Sequence, residues 1–420
     1  MPKTAKLVGI DIGTTKVCAL VVEASPEDAG PLQVLGVGLA QSRGVQKGVI
    51  TDLDAATEAV AESLDKAERL SGYKINSALL GIAGGHVGCS QSHGSVTLPD
   101  GGQIGPEEVH RALEAARAVD LPSQKEILHV LPRQYVVDGN DGVKDPQGLS
   151  GYRLDVDAHI VTAHVGAVQN ALKVLCRVGL EADELVLQPL ASAQAVLSEA
   201  ERDLGVALID IGGGTTDVAI FIEDAPWHTS VLPLGGDSIT NDLAIVLGIP
   251  TDAAERLKVE AVDVSPVPSA VPARGLPGTG DTLKVEAFGE GEYKSISRQL
   301  AREVADSRLS EIFSMVLDEL RRSGYDDMLP AGAVLTGGGA QMRGVAERAC
   351  RALGMPVRIG SPSGLSGLGD VVHTPSFATS VGLVLWRSRA LAASSKVRRV
   401  PTARKGAPSR VAGWFREFLP

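Results

Sequence analysis

Cysteine is scarce in this chain of 420 residues. There are four, Cys18, Cys89, Cys176 and Cys350, and none forms a C-x-x-C pair. That spacing excludes a cysteine zinc site and a disulfide framework. Long apolar runs free of charge are also missing. The longest are interrupted by Asp11 and Lys16 early and by Asp210 and Asp217 midway, so no segment reads as a spanning helix. The same early charges argue against an export signal, and the expected compartment is cytoplasmic. Aromatics are few as well, 3% of residues, yet Trp414, Phe415 and Phe418 fall within the last seven positions.

What is present describes a well-packed chain: 44% hydrophobic, 22% charged and 48 glycines. The length is too great for one hydrophobic core, which predicts two lobes or more. The formal net charge of −11 is unevenly spread. From Arg387 onward there are nine basic residues and one acid, Glu417, so the preceding 386 residues carry a balance of −19. A body so acidic is a poor nucleic-acid binder, and the basic tail reads as a separate unit.

A repeat organises the body. Lys6 to Lys16 runs as a buried strand into Asp11-Ile12-Gly13-Thr14-Thr15-Lys16. Two hundred residues later Val206 to Asp217 runs into Asp210-Ile211-Gly212-Gly213-Gly214-Thr215-Thr216-Asp217. Each is a strand, a glycine–threonine turn and a second apolar strand, which implies two halves of like fold. Between the copies, Asp52 or Asp54 caps a helix to about Leu70, and Ala78 to Ile82 is a strand. The pattern changes from Gly84 to His164. Short strands at 95–98, 127–131, 134–137 and 158–164 and a helix opened by Pro106 read there as an inserted small domain. Helices are expected over 166–178, from Gln188 to Leu197, from Gly235 to Leu247, after a Thr251 cap, from Ser297 to Ser323, and over 378–386. Residues 264–280, rich in proline and glycine, read as a connection.

A carboxylate at a strand end beside a glycine turn suits magnesium held through water near phosphates. Glycines let backbone N–H groups reach phosphate oxygens, and threonine hydroxyls add donors. A third turn, Gly337-Gly338-Gly339, lies between a strand and a helix and can approach an adenosine closely. Each turn alone is also what an ordinary hairpin or strand–helix packing would give. Three together are hard to explain as packing.

Val8 to Val17, Ala207 to Ile220 and Val334 to Val345 resemble the two phosphate motifs and the adenosine motif of the actin, Hsp70 and sugar-kinase superfamily. Leu187 to Leu197 and Thr374 to Leu385 resemble its two connecting helices. The resemblance implies an α/β, two-lobed, ribonuclease H-like ATPase fold with ATP and Mg2+ as cofactors. It places Asp11 and Asp210 as magnesium-side carboxylates. Gly13, Thr14, Thr15 and Lys16 would form the first phosphate loop, and Gly212, Gly213, Gly214, Thr215 and Thr216 the second. Gly337, Gly338, Gly339 and Met342 belong to the adenosine motif. Gln188 stands where relatives position the attacking water, although a helix-start hydrogen bond explains it equally. Glu255 and Lys258 resemble residues that reach the adenine or ribose, and a solvated helix face is nearly as good a reading. Hydrolysis would proceed by positioning and charge stabilisation rather than covalent chemistry.

The tail narrows the function, because the fold alone does not select one. Val411, Trp414, Phe415, Phe418 and Leu419 follow i, i+3, i+4, i+7, i+8, an apolar helical face with arginines opposite. A terminal helix docked on the body is the competing reading. A basic stretch broken by proline and glycine separates the face from the core, which favours an interfacial membrane helix. One such helix binds reversibly. Assembly in a row multiplies the anchors, and avidity can reach roughly 10²–10⁴-fold over one tail.

With the insertion, the tail makes the chain resemble the FtsA family of bacterial actin-like division proteins. Matching stretches include 44–50, 81–86 and 374–379. The resemblance implies an inserted small α+β subdomain in place of an actin subdomain, and it divides the chain as follows. Residues 1–83, 165–200 and 374–388 form subdomain 1A, and 84–164 the inserted subdomain 1C. Residues 201–235 and 300–373 form 2A, and 236–299 form 2B. A basic linker at 389–408 and a membrane-targeting helix at 409–420 complete it. It further implies filaments of this chain at an anionic membrane surface, on the cytoplasmic face at the division septum. There it would bind the FtsZ C-terminal peptide and late division proteins, with ATP binding and weak ATPase activity. The peptide would meet 236–299 and the following helix, where Lys294, Arg298 and Arg302 share one face if that helix begins early. An actin-like adaptor of type IV pilus assembly and a small-molecule kinase are the alternatives on the same fold.

Overall fold

The structure is a computed structural model, and it describes residues 5–24, 30–266, 281–289, 291–367 and 369–398. The expected membrane-facing residues Val411, Trp414, Phe415, Phe418 and Leu419 lie outside these, as does most of the proline-rich connection.

The two copies of the repeat each build a sheet of the same topology. In the first lobe, Ala5–Ile12, Lys16–Ala24 and Leu32–Gln41 form an antiparallel meander. Ser77–Ile82 and Glu181–Leu187 then add in parallel beyond the first strand, and Leu365–Gly367 closes the far edge. In the second lobe, Val206–Ile211, Thr216–Ile222 and Ala225–Leu232 form the meander, and Ala333–Thr336 and Val357–Ile359 add in parallel. The central strands are aliphatic and buried on both faces, as strands covered by helices must be.

Two helices join the lobes. Gln188–Val196 has seven buried residues among its last seven, and it crosses Ala378–Arg398 closely. A Cβ on Gly382 would stand 1.8 Å from the Ala191 carbonyl oxygen, so only glycine allows this crossing. The second helix continues to Arg398, ten residues beyond the point where the sequence suggests a linker.

The insert forms its own sheet, ordered Gly88–Thr97, Arg153–His164, Lys125–Val137, Asn140–Val143, with helix Pro106–Arg117 against it. Two strands expected at 127–131 and 134–137 are one continuous strand. Pro132 sits opposite Ala158 at a register shift, and Arg133 is the extra bulged residue. Proline lacks a donor for the ladder, and a bulge is where it is tolerated. The bulge aims Arg133 outward, its guanidinium 3.7 Å from the centre of the Trp227 ring on the edge strand of lobe two.

Helix Thr251–Glu260 begins after Pro250, with no side-chain cap from Thr251. Thr282–Glu286 and Tyr293–Ser297 pair as a hairpin that the sequence reading missed. Lys294 therefore lies on a strand and donates to the Leu247 carbonyl at 2.7 Å. Helix Arg298–Ser323 starts only at Arg298, capped by Ser297, and Arg302 donates to the Ser265 carbonyl at 2.6 Å. The expected single face of Lys294, Arg298 and Arg302 does not form.

Candidate functional site between the two lobes

Each hairpin ends in a four-residue turn closed by the same bond. Gly13 N donates to Lys16 O at 3.0 Å, and Gly212 N donates to Thr215 O at 2.9 Å. The turns face each other at close range. A Cβ on Gly213 would lie 2.5 Å from Thr15 Cγ2, and one on Gly214 would lie 2.5 Å from Thr14 Oγ1. Between them is a cavity of about 110 Å³. Its walls include Asp11, Gly13 to Lys16, Gln188, Asp210, Gly212 to Thr215, Asp217, Gly337 and Gly338.

The third glycine turn closes on the second hairpin. Gly337 has φ +84°, a left-handed conformation, and a Cβ there would lie 2.3 Å from Asp210 Oδ1. No other residue type fits that position without displacing the carboxylate. Gly339 packs on Ile211 behind the cavity, and Met342 is buried in the core of lobe two.

The acids sit in a desolvated pocket. Burial pushes the Asp11 carboxyl up to about 6. Lys16 opposes this and the Asp210 charge adds to it. Burial likewise raises Asp210, against the hydrogen bonds it accepts. Asp217 is raised well above the carboxylate range by burial and then by repulsion from Asp210 and Asp11. Its Oδ1 is buried without a partner. Burial lowers the Lys16 ammonium, whose Nζ donates to Ser376 O and lies 3.8 Å from the centre of the Phe377 ring. Lys16 thus joins the first turn to the segment leading into the second connecting helix.

Several groups that hold these acids escaped the sequence reading. Ser192 Oγ donates to Asp210 Oδ2 at 2.7 Å and meets Thr379 Oγ1 at 3.0 Å. Both are buried, and nothing in the sequence sets them apart from other small hydroxyl residues of helices. Gln188 Nε2 donates to Asp11 Oδ1 at 2.9 Å, so the head of the first connecting helix is wired to the first hairpin.

Other expected residues stand aside. Thr216 is the first residue of its strand, fully buried, and its hydroxyl donates to Leu234 O at 2.8 Å rather than toward the cavity. Glu255 and Lys258 bond each other and the Thr240 hydroxyl, and Lys258 Nζ donates to Gly236 O at 3.1 Å. Gly236 N in turn donates to Gly212 O at 2.8 Å. The pair therefore braces the second turn from behind and is not part of the cavity wall.

The model of the family "Cell division protein FtsA" matches residues 207–382, and that of the "SHS2 domain inserted in FTSA" matches 84–162. A cell division protein FtsA of Pseudomonas aeruginosa is 44% identical over 380 residues, 90% of this chain and 88% of the relative. The chain belongs to the FtsA family of cell-division proteins. An FtsA of Escherichia coli is 35% identical over 420 residues, covering 98% of this chain and 97% of that one.

Among solved structures, a PilM–PilN type IV pilus biogenesis complex superposes with TM-score 0.64 at 18% identity, covering 91% of this chain and 98% of that one. MreB5 of Spiroplasma citri bound to AMPPNP gives TM-score 0.54 at 16% identity, over 94% and 99%. At such identities the likeness is one of fold. This FtsA-family chain has the two-lobed actin-like ATPase fold, with the small α+β insert that its sequence predicts. No helix among the described residues of this FtsA-family chain is long and apolar enough to cross a membrane.

Proposed function

We propose that this chain binds ATP with Mg2+ between its lobes and assembles into filaments on the cytoplasmic face of the membrane at the division septum. There it holds the FtsZ ring through the C-terminal peptide of FtsZ, recruits late division proteins, and hydrolyses ATP weakly. The nucleotide reading rests on one observation: both acidic hairpins and the Gly337 turn line a single cavity.

The donor set fits a phosphate-bound cation. Three buried acids face one lysine, and Asp217 has an unpartnered oxygen, an arrangement that is costly until positive charge arrives. Among the described residues no group of three or more His, Cys, Asp or Glu side chains is arranged to ligate a metal directly. Magnesium suits such a site, because it keeps several waters and takes one or two carboxylates plus phosphate oxygens. Bound there, it would draw charge from the phosphoryl oxygens. Asp11 and Asp210 would orient its shell. The backbone N–H groups of the glycine turns would hold phosphates, and Gln188 would hold Asp11 and orient water.

Titration calorimetry with ATP and Mg2+ tests the reading. Asp210→Ala should weaken magnesium-dependent binding at least tenfold while the circular dichroism spectrum is retained. Unchanged affinity would remove the cavity from the function. Co-sedimentation with vesicles containing anionic lipid, with and without residues 413–420, tests the anchor. Equal binding by both forms would overturn it.

A further inference from the structure

The seam between the insert and lobe two holds reactive chemistry unrelated to the nucleotide cavity. Cys89 is on the insert's first strand, His228 on the edge strand Ala225–Leu232 of lobe two, and Glu319 on helix Arg298–Ser323. The Cys89 thiol meets His228 Nδ1 at 3.8 Å, and His228 Nε2 meets Glu319 Oε1 at 2.7 Å. Glu319 is buried and also pairs with Arg322. This is the nucleophile–base–orienting acid order that activates thiols. Glu319 accepts a hydrogen bond from Nε2–H, so Nδ1 is left free to accept from sulfur.

We propose that Cys89 is an activated thiol at which this chain takes up a hydroperoxide oxidant, becoming a sulfenic acid at the seam between the insert and lobe two. The thiol proton moves to His228 Nδ1. The thiolate attacks one peroxide oxygen, so an S–O bond forms as the O–O bond breaks. The departing oxygen, hydroxide from hydrogen peroxide or alkoxide from an organic hydroperoxide, takes the proton from His228 and leaves as water or the alcohol. Sulfur is oxidised by two electrons and the peroxide is reduced by two.

Electrostatics at the seam agree with the geometry. Burial alone would raise the Cys89 thiol. The hydrogen bond and charge of His228, with the backbone and hydroxyl of Thr229, outweigh it and lower the thiol. The chain supplies its own controls. Cys176 and Cys350 are exposed, and Cys18 is buried and pushed up to about 11. Accessibility alone would rank Cys89 behind both exposed thiols.

The oxidised sulfur would also change the seam. Around it, His159 Nε2 meets Thr229 Oγ1 at 3.0 Å, Gln91 Nε2 donates to the Tyr325 hydroxyl at 2.6 Å, and Arg133 stacks on Trp227. A sulfenic oxygen would replace the contact to His228 in the middle of this packing.

The test treats the full chain at pH 7 with limiting hydrogen peroxide and dimedone, and locates the adduct by mass spectrometry. A parallel iodoacetamide time course gives a rate for each cysteine. The expected result is a dimedone adduct on Cys89 before any other cysteine, and alkylation of Cys89 faster than of Cys176 and Cys350. His228→Gln should slow Cys89 about tenfold, the order by which paired and unpaired thiols differ in thiolate fraction near neutrality. Glu319→Gln should slow it less. Slower labelling of Cys89 than of the two exposed cysteines in the unmodified chain overturns the proposal without any variant. So does a His228→Gln rate equal to that of the parent.

Discussion

Asp210 and Asp217 are cross-strand partners in the second hairpin, two buried acids on one face of the sheet with no base between them. In the first hairpin the partner of Asp11 is Cys18. Like charges opposite each other weaken a sheet, so this pairing stabilises nothing by itself. It makes sense as a site held ready for positive charge.

The thermodynamic sign follows. An acid raised in the folded state keeps its proton where the unfolded chain has lost it. Its favourable contribution is complete below the ordinary value of 3.8 and is lost as pH rises through the raised value, about 6 for Asp11. The nucleotide-free protein should therefore lose stability between pH 4 and 6. Asp217→Asn should raise Tm at pH 7.5 by about 3 °C or more, taking 2–4 °C per kcal/mol for a lobe of this size. It should change Tm little at pH 4 and shrink the stabilisation given by Mg2+ and ATP. Differential scanning calorimetry at both pH values checks this, and a lower Tm at pH 7.5 would contradict it.

Adjacent glycines in the third turn should behave differently. Gly337→Ala places a methyl 2.3 Å from Asp210 Oδ1 at a φ of +84°, whereas a Cβ on Gly338 meets nothing within 4 Å. Alanine at 337 carries about 1 kcal/mol of backbone strain or more and also pushes the carboxylate aside. Nucleotide affinity should fall at least tenfold in Gly337→Ala and stay within about twofold in Gly338→Ala, by titration calorimetry.

Much of this was legible in the sequence, because a repeated buried strand ending in Asp-Ile-Gly leaves few other options. The two hairpins and the presence of an insert follow from local patterns. The alignment of the turns did not. Matching the threonines by eye pairs Thr216 with Thr15, yet the ladder pairs Ile211 with Thr216 and Ile12 with Val17, so Thr216 corresponds to Val17 and points into the core. Ser192 and Thr379 were invisible because small hydroxyl residues in helices are common, and only tertiary packing shows that they face Asp210. The sequence places the start of helix Arg298–Ser323 at Ser297, as found, and Lys294, Arg298 and Arg302 share a face only if it begins a turn earlier. The alternation of Leu283 and Val285 with exposed neighbours was the competing strand signal.

Gln188 separates two roles that its sequence position leaves open. Its amide bonds Asp11 and it heads the connecting helix. If it orients water, Gln188→Ala should lower the ATP hydrolysis rate about tenfold or more while affinity stays within threefold. A purely local role would lower Tm and leave hydrolysis intact. Single-turnover assays with calorimetry distinguish these, and the first outcome is expected.

The tail prediction turns on the position of three tryptophans. Trp386 is buried and its Nε1 donates to Glu184 at 2.8 Å, while Trp227 is covered by Arg133 and Tyr325. Neither should respond to vesicles, so a fluorescence change reports Trp414. On an anionic bilayer the apolar face of Val411, Trp414, Phe415, Phe418 and Leu419 would enter the headgroup–acyl boundary and shift Trp414 emission to the blue. Trp414→Glu places a carboxylate in that face, where burial without a partner is strongly unfavourable. The variant should lose co-sedimentation with vesicles containing anionic lipid, by tenfold or more under conditions where the parent is assembled. The loss should be smaller where it is monomeric, because avidity multiplies the weakness of each tail. An unshifted Trp414 spectrum in the parent chain would show that the aromatic face meets protein instead.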